Sequence, residues 1–93
     1  MPHKTSKRVR KVRVGDVLFA FYAKDKQLAA FPVVKVNRKS FHNGWFEIAD
    51  DWPHERIYKN FKLNGGITYT GNKIEDIGKR LFFSRQEAFE NPI

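Results

Sequence analysis

The sequence predicts a single, mainly β domain: a small barrel or strongly twisted antiparallel sheet of about five to seven short strands, with one short C-terminal helix. Two observations predict this fold class. The apolar runs are short and rich in β-branched and aromatic residues, and turn signals separate them at intervals of roughly 8–12 residues. The chain has 93 residues, which suffices for one domain but not for two. We expect residues 1–8 to be a basic flexible arm and residues 9–93 to form the domain.

The first half of the domain carries three strand signals. From Val9 to Val14, apolar and basic residues alternate, which predicts a half-buried strand. The dense apolar run from Val17 to Tyr22 predicts a buried strand, and the polar connection that follows it has hairpin length. Another apolar run extends from Leu28 to Val36 and contains Pro32. Because proline donates no ladder hydrogen bond, this segment is predicted to be an edge strand or to contain a bulge.

The middle of the chain is predicted to form further hairpins. Asn43-Gly44 between apolar runs favours a two-residue type I′ turn, which would set His42 opposite Trp45 and Phe41 opposite Phe46. Strand character continues to Ala49. Alternating apolar residues from Arg56 to Leu63 then indicate a strand, and a second hairpin turn is expected at Asn64-Gly65-Gly66. A strand over residues 67–70 and a break over residues 71–73 complete this region.

The C-terminal segment has the clearest helix signal. Residues 81–83 are expected to form a short last strand. Ser84 and Glu87 have capping-box spacing, which predicts a helix of one to two turns that ends before Asn91-Pro92. The side chains expected in the core are Phe19, Phe21, Phe46, Ile48, Leu81 and Phe83.

Two stretches resemble known proteins. Val14-Gly15-Asp16-Val17, where a β-run opens, resembles the start of many small SH3-like barrels. The segment from Asp76 to Ala88 resembles the ending of small, mostly uncharacterised proteins of Gram-positive bacteria and their phages, with Gln86 in place of an acid. The resemblance covers a limited part of the chain. It implies a small SH3-like β-barrel of phage or mobile-element type, and it supplies no activity and no functional residues.

Charge and composition exclude several protein classes. The formal net charge is +8, and residues 1–13 hold six of the eighteen Lys and Arg but none of the ten acids. Such a block is typical of an arm that contacts nucleic acid, although it also occurs as a solvated tail. The absence of cysteine excludes disulfides, thiol nucleophiles and thiolate zinc sites. No apolar run approaches the ~20 residues of a membrane span or follows the basic start as in a signal peptide, so a cytoplasmic location is expected.

No residue pattern indicates catalysis. The three histidines are dispersed, and neighbouring acids such as Asp50 and Asp51 point to opposite faces of a strand. The sequence therefore predicts neither an enzyme nor a metal or other cofactor. A pocket lined by His54, Asp50 and Asp51 would reopen that question.

Basic residues that interleave with aromatic ones predict a nucleic-acid-binding module of low sequence specificity. Cations neutralise phosphates and flat side chains stack on bases. For Trp45, a core position and an exposed platform are equally expected. The predicted nucleic-acid-binding residues are Lys4, Lys7, Arg8, Arg10, Lys11, Arg13, Lys35, Arg38, Lys39, Trp45, Tyr58, Lys59 and Lys62.

An alternative function is an SH3-like protein-interaction module that inhibits or redirects a host protein. Its aromatic groove would be formed by Trp45, Trp52, Tyr58 or Tyr69. The partner is thus either nucleic acid, single-stranded or duplex, or a host protein, and no membrane partner is expected. The oligomeric state stays open at this point.

Overall fold

The computed structural model describes residues 11–93, with only the backbone of Thr70 and Gly71. In this part of the chain the fold is mainly β. Five antiparallel strands form a curled half-barrel sheet with two short helices, an architecture compatible with a small SH3-like barrel. The elements are β1 (Val17–Tyr22), β2 (Gln27–Val36), β3 (Ser40–Asn43), β4 (Phe46–Ile48), α1 (His54–Leu63), β5 (Tyr69–Lys73) and α2 (Arg85–Glu90), with a 3₁₀ turn at Ile74–Asp76.

The β1–β2 hairpin lies at the centre of the molecule and is buried on both faces. Its register runs from Val17 opposite Pro32 to Tyr22 opposite Gln27. Leu18 and Phe31 belong to one cluster of buried side chains, the first core, which the C-terminal segment and β3 close. Alternate residues of both strands belong to a second core, which also receives Ile57 of α1 and Ala88 of α2. Burial on both faces explains the continuous apolar runs, and it confirms both predicted strands.

On one of its two sides, strand β2 has different neighbouring strands before and after Pro32. On the side away from β1, it pairs with β4 at residues 28–30 and with β3 at residues 33–36. Pro32 lies between the two pairings, and its carbonyl accepts a hydrogen bond from the Gly44 N–H at 2.9 Å. A register shift between Val33 and Lys35 confirms the predicted bulge, whereas the edge-strand alternative is wrong because β2 is central.

The type I′ turn predicted at Asn43-Gly44 is wrong. Strands β3 and β4 pair with different parts of β2 and do not form a hairpin, so His42 does not face Trp45 and Phe41 does not face Phe46. The backbone of Gly44 has no positive φ. Glycine is required here for space, because a Cβ atom on Gly44 would overlap the ring of Phe61.

The strand predicted from Arg56 to Leu63 is also wrong, because this segment is helix α1. Ile57 and Phe61 are four residues apart, which places both on the buried side of a helix, while Leu63 is 75% exposed. The glycines that suggested a hairpin turn end this helix instead. Gly66 N–H donates to the Phe61 carbonyl at 2.9 Å and Gly65 N–H to the Lys62 carbonyl at 3.1 Å, the Schellman arrangement.

Strand β5 begins two residues later than the sequence predicts and includes the residues expected to form a break. It pairs with β3, with Tyr69 opposite Asn43 and Lys73 opposite Ser40, and it is an edge strand of the sheet. The register shifts between these pairs by one extra residue in β5. As a result, Tyr69 and Asn72 share one face of the sheet, and Lys73 lies on the other.

At each end of the described domain, a predicted strand is absent or reduced. Residues 11–14 do not form the predicted strand, although Val12 is buried in the first core, and Val9 lies outside the described residues together with the predicted arm. The predicted last strand is reduced to isolated bridges of Phe82 with Phe19 and of Leu81 with Ile77.

Helix α2 and its cap are confirmed. The Ser84 hydroxyl oxygen accepts the Glu87 N–H at 3.2 Å, and the helix ends at Glu90. Among the predicted core residues, Phe19, Ile48 and Leu81 are buried. The other three are half-buried at the margins of the two cores: Phe21, Phe46 and Phe83.

Candidate nucleic-acid interface

Two aromatic side chains, Trp45 and Tyr69, line an open cleft with two compartments, named here the aromatic cleft. The first compartment has a volume of about 370 Å³ and the second about 140 Å³, and both rings line both compartments. The first is completed by Phe31, Asn43 and Asn72. The second is completed by Phe46, Phe61, Asn64 and Ile67.

The position of the cleft follows from the way β2 exchanges partners. Trp45 lies in the short connection that carries the chain from β3 to β4, and Tyr69 opens β5 opposite the last residue of β3. Trp45 is 40% exposed and Tyr69 53%, so each ring is partly supported by the protein and partly open to solvent. Phe31 belongs to the first core and Phe46 packs against the second, so the cleft opens at the seam between the two cores.

A pair of asparagines anchors the wall of the first compartment. Asn43 is almost fully buried, and its amide nitrogen donates to the Gly44 carbonyl at 2.8 Å. Its amide oxygen accepts from the Asn72 amide nitrogen at 2.7 Å. The second bond joins β3 to β5 beneath the cleft and fixes the orientation of the half-buried Asn72 side chain.

Basic side chains gather at the far end of β3 and β5. Arg38 and Lys39, in the β2–β3 connection, line a recess of about 680 Å³ together with Lys73, Ser40, Ile74 and Glu75. We call Arg38, Lys39 and Lys73 the basic patch. The Ile74 N–H donates to the Lys39 carbonyl at 2.9 Å, which holds the connection against the end of β5. Through the strand register, Lys35 lies on the same face of the sheet as Lys73.

The aromatic cleft and the basic patch meet along the edge strand. Asn72 lines the first compartment of the cleft and the next residue, Lys73, lines the recess of the patch. Since consecutive residues of a strand point to opposite faces, the two sites lie on either side of β5. An extended ligand that crosses this edge can therefore contact both sites.

The other predicted binding residues lie elsewhere in the fold. Lys59 and Lys62 are exposed on α1, where Lys59 lines a separate recess with Trp52 and Arg56. Arg56 lies over the Trp52 ring, with its guanidinium carbon 4.2 Å from the ring centroid. Lys11 and Arg13 are exposed, while Lys4, Lys7, Arg8 and Arg10 lie outside the described residues.

Tyr58 is placed where it holds the fold together. Its hydroxyl donates to the carbonyls of Val33 at 3.1 Å and of Asp16 at 3.3 Å, which ties α1 to β2. Partial burial, and secondarily the negative charge of Asp16, raise the pKa of this hydroxyl. Of the four aromatic residues considered for a groove, only Trp45 and Tyr69 form one, because Tyr58 is bonded internally and Trp52 lines the separate recess on α1.

Lys73 is the member of the basic patch that sequence reasoning missed. It lies in the segment predicted to be a break, and only the long-range pairing of Ser40 with Lys73 brings it beside Arg38 and Lys39. No local pattern in the sequence signals that pairing.

The residues considered for metal binding or catalysis do not come together. Among residues 11–93, no three His, Asp or Glu side chains are grouped as a metal site would require. His54 lies at the start of α1 with its Nε2 atom 3.2 Å from the Gly15 carbonyl oxygen, whereas His42 is on β3. Within the same residues, neither α-helix has the length and apolar character needed to cross a membrane.

Comparison of the chain with protein-family models, curated proteins and solved structures finds no match. What the chain binds therefore has to be inferred from its own residues.

Proposed function

We propose that the protein is a nucleic-acid-binding module of low sequence specificity, in which the aromatic cleft stacks on bases and the basic patch neutralises phosphates. The observation that carries this proposal is the junction at Asn72 and Lys73, where the cleft and the patch meet on one edge strand. A nucleic-acid strand presents flat bases and negatively charged phosphates in alternation. This chain presents exposed rings and positive charges on the two faces of one edge strand.

Two physical effects, base stacking and phosphate neutralisation, contribute to the proposed binding. Stacking of a base on an aromatic side chain contributes about 1–3 kcal/mol, and every base has a face that can stack. Contacts between cations and phosphates add affinity that does not depend on sequence and that weakens as salt is added. The net charge of +8 favours approach to a polyanion over its whole surface.

Binding of labelled single-stranded DNA, duplex DNA and RNA, measured by fluorescence anisotropy, tests the proposal. We expect binding at about 50 mM salt that weakens steeply as the salt concentration rises. Absence of binding to all three polymers at that salt concentration would refute the proposal.

A charge variant with a matched control tests the role of the basic patch. The double substitution Lys39→Ala/Lys73→Ala should reduce the slope of log K against log salt on single strands by about 1.4, since each lost phosphate contact contributes about 0.7. Lys24→Ala/Lys79→Ala removes the same charge from exposed positions outside the patch and should change the slope less. Equal effects of the two pairs would mean that diffuse charge, rather than the patch, binds the phosphates.

The contribution of the N-terminal arm is separable by truncation. A form that lacks residues 1–10 loses four of the predicted cations and keeps Val12, which is only 7% exposed in the first core. If all four contact a duplex, the salt slope falls by about 3.6. An unchanged slope would show that the arm is a solvated tail.

One observation favours the alternative function, an SH3-like protein-interaction module. Among residues 11–93, none of those that line either compartment of the aromatic cleft is Lys or Arg. Aromatic grooves of this kind accept extended proline-rich segments. This alternative would be supported if the immobilised chain retained a host protein after nuclease treatment and the Trp45→Ala variant did not. Loss of the captured protein on nuclease treatment would favour nucleic acid.

A further inference from the structure

The shape of the aromatic cleft restricts which form of nucleic acid can use it. Trp45 and Tyr69 line one shallow, open compartment of about 370 Å³, and roughly half of the surface of each residue is covered by the protein. In a duplex, each base is stacked on both sides and its Watson–Crick edge is paired. Such a base cannot present its face to an aromatic ring unless it is first extruded, which requires unstacking and unpairing energy.

From this geometry we infer that the ligand is single-stranded and that one unpaired base enters the first compartment of the cleft, between the two aromatic walls. This inference rests on the proposed nucleic-acid function and names its substrate class. The phosphates beside the inserted base then lie across the β5 edge, toward Lys73.

A polar group in the compartment matches the edge of a base. Asn72 uses one amide N–H to bond Asn43, and its carbonyl oxygen and other N–H have no partner among residues 11–93. This leaves one donor and one acceptor on a side chain that the Asn43 bond holds in place. Unpaired bases are recognised by stacking together with hydrogen bonds to their exposed edges.

The same geometry explains why little sequence preference is expected. All four bases present adjacent donors and acceptors on their Watson–Crick edges, so a single amide can bond to each of them. The cleft therefore distinguishes an unpaired base from a paired base or a missing base, rather than one base from another.

Three probes of equal length separate base insertion from charge. They are oligothymidine, the duplex of oligothymidine with oligodeoxyadenosine, and an abasic single strand that keeps the phosphates without the bases. We expect the full chain to bind oligothymidine at least about tenfold more tightly than the abasic strand, which corresponds to the stacking of one base. Trp45→Ala and Tyr69→Ala should each remove most of this preference and leave affinity for the abasic strand unchanged.

One control, Leu63→Ala, and one further test variant, Asn72→Asp, accompany these substitutions. Leu63→Ala removes an exposed apolar side chain that does not line the cleft, and it should leave all affinities unchanged. Asn72→Asp keeps the size of the side chain but replaces its amide donors, including the one that bonds Asn43, with a negative charge. It should weaken oligothymidine binding more than abasic-strand binding.

The outcomes distinguish this inference from the proposed function. If the abasic strand and the duplex bind as tightly as oligothymidine, and Trp45→Ala weakens none of them selectively, base insertion is refuted while charge-based binding stands. If none of the three probes binds, the proposed function fails, and the inference fails with it. Selective loss of oligothymidine binding in the two aromatic variants establishes base insertion.

Discussion

The aromatic cleft and the basic patch lie on the two sides of one strand, but they depend on the rest of the molecule in different ways. The cleft is built from the interior. Phe31 and Phe61 are buried, Asn43 is 1% exposed, and Gly44 contacts the ring of Phe61. The patch consists of exposed side chains on a connection and a strand end.

This difference shows which substitutions can test binding without disturbing the fold. A change beneath the cleft alters the packing of α1 against the sheet, so it affects stability and binding together. A change in the patch alters surface charge alone. The four predictions below are ordered by their expected effect on the free energy of unfolding.

The largest loss is expected from the helix that supports the cleft. Ile57→Ala should lower the free energy of unfolding by about 3 kcal/mol, because Ile57 is fully buried in the second core and its truncation leaves a cavity. Leu63→Ala is the matched control, and it should change stability by no more than about 0.5 kcal/mol. Urea denaturation measures both. Equal losses would contradict the helix, since a strand would place both side chains on one face.

A smaller loss is expected from Gly44→Ala. Its new methyl group meets the Phe61 ring, and overpacking of this kind destabilises by about 2 kcal/mol. The double variant Gly44→Ala/Phe61→Leu should lose less stability than the sum of the two single variants, because the smaller leucine side chain relieves the contact with the new methyl group. Strict additivity in the double variant would show that the two residues do not contact.

Tyr58→Phe is expected to lose about 1 kcal/mol, the typical net value of a hydrogen bond. The loss stays moderate because both carbonyls keep backbone partners, the Val33 N–H at the Asp16 carbonyl and the Gly15 N–H at the Val33 carbonyl. The pKa of the Tyr58 hydroxyl is raised in the folded protein above its unfolded value of 10.0. The hydroxyl therefore makes its full contribution to the free energy of unfolding below about pH 10. The contribution disappears as the pH rises through the folded pKa.

Urea denaturation of the wild type and of Tyr58→Phe at pH values below and above about 10 isolates the effect of this hydroxyl, because both proteins share all other titrating groups. The difference in stability between the two proteins should shrink at high pH. A difference that grows with pH would mean that the hydroxyl is stabilised in its ionised form.

The smallest effect on stability is expected from the basic patch. Lys39→Ala/Lys73→Ala should change the free energy of unfolding by no more than about 0.5 kcal/mol, as is usual for exposed positions. Thermal and urea unfolding of the variant used in the salt titrations would check this. A loss of several kcal/mol would show that the patch is part of the framework of the fold.

Local signals made part of the fold predictable. The apolar runs of β1 and β2 are buried on both faces, so their composition alone indicates strands. Ser84 and Glu87 lie within one helical turn of each other, so their cap could be predicted without tertiary information. The cap lies within one helical turn and β1 pairs with β2 as one hairpin, so both are formed by residues close in sequence.

Long-range contacts decided the parts that were predicted wrongly. The two-residue spacing of Phe61 and Leu63 fits a strand, whereas the four-residue spacing of Ile57 and Phe61 also fits a helix. The segment is a helix, and in it Phe61 is buried against Gly44. Asn43-Gly44 has the composition of a tight turn, but the Asn43 amide bonds Asn72, which is 29 residues away.

The candidate site was predictable to the same limited extent. Its residue types are visible in the sequence, and Trp45 was expected to be either core or exposed. Its partners Tyr69 and Lys73 depend on the pairing of β5 with β3, which no pattern within either segment predicts.

The position of Pro32 has a consequence for the pairing of the neighbouring strands. Its carbonyl faces the side where β2 meets β3 and β4, and its ring nitrogen on that side has no hydrogen to donate. The Gly44 N–H bonds the Pro32 carbonyl, but the Gly44 carbonyl receives no hydrogen from Pro32 and accepts one from the Asn43 amide instead. An imino acid in the middle of the sheet thus interrupts the ladder between the two short strands, and Trp45 lies at this interruption with its side chain partly facing solvent.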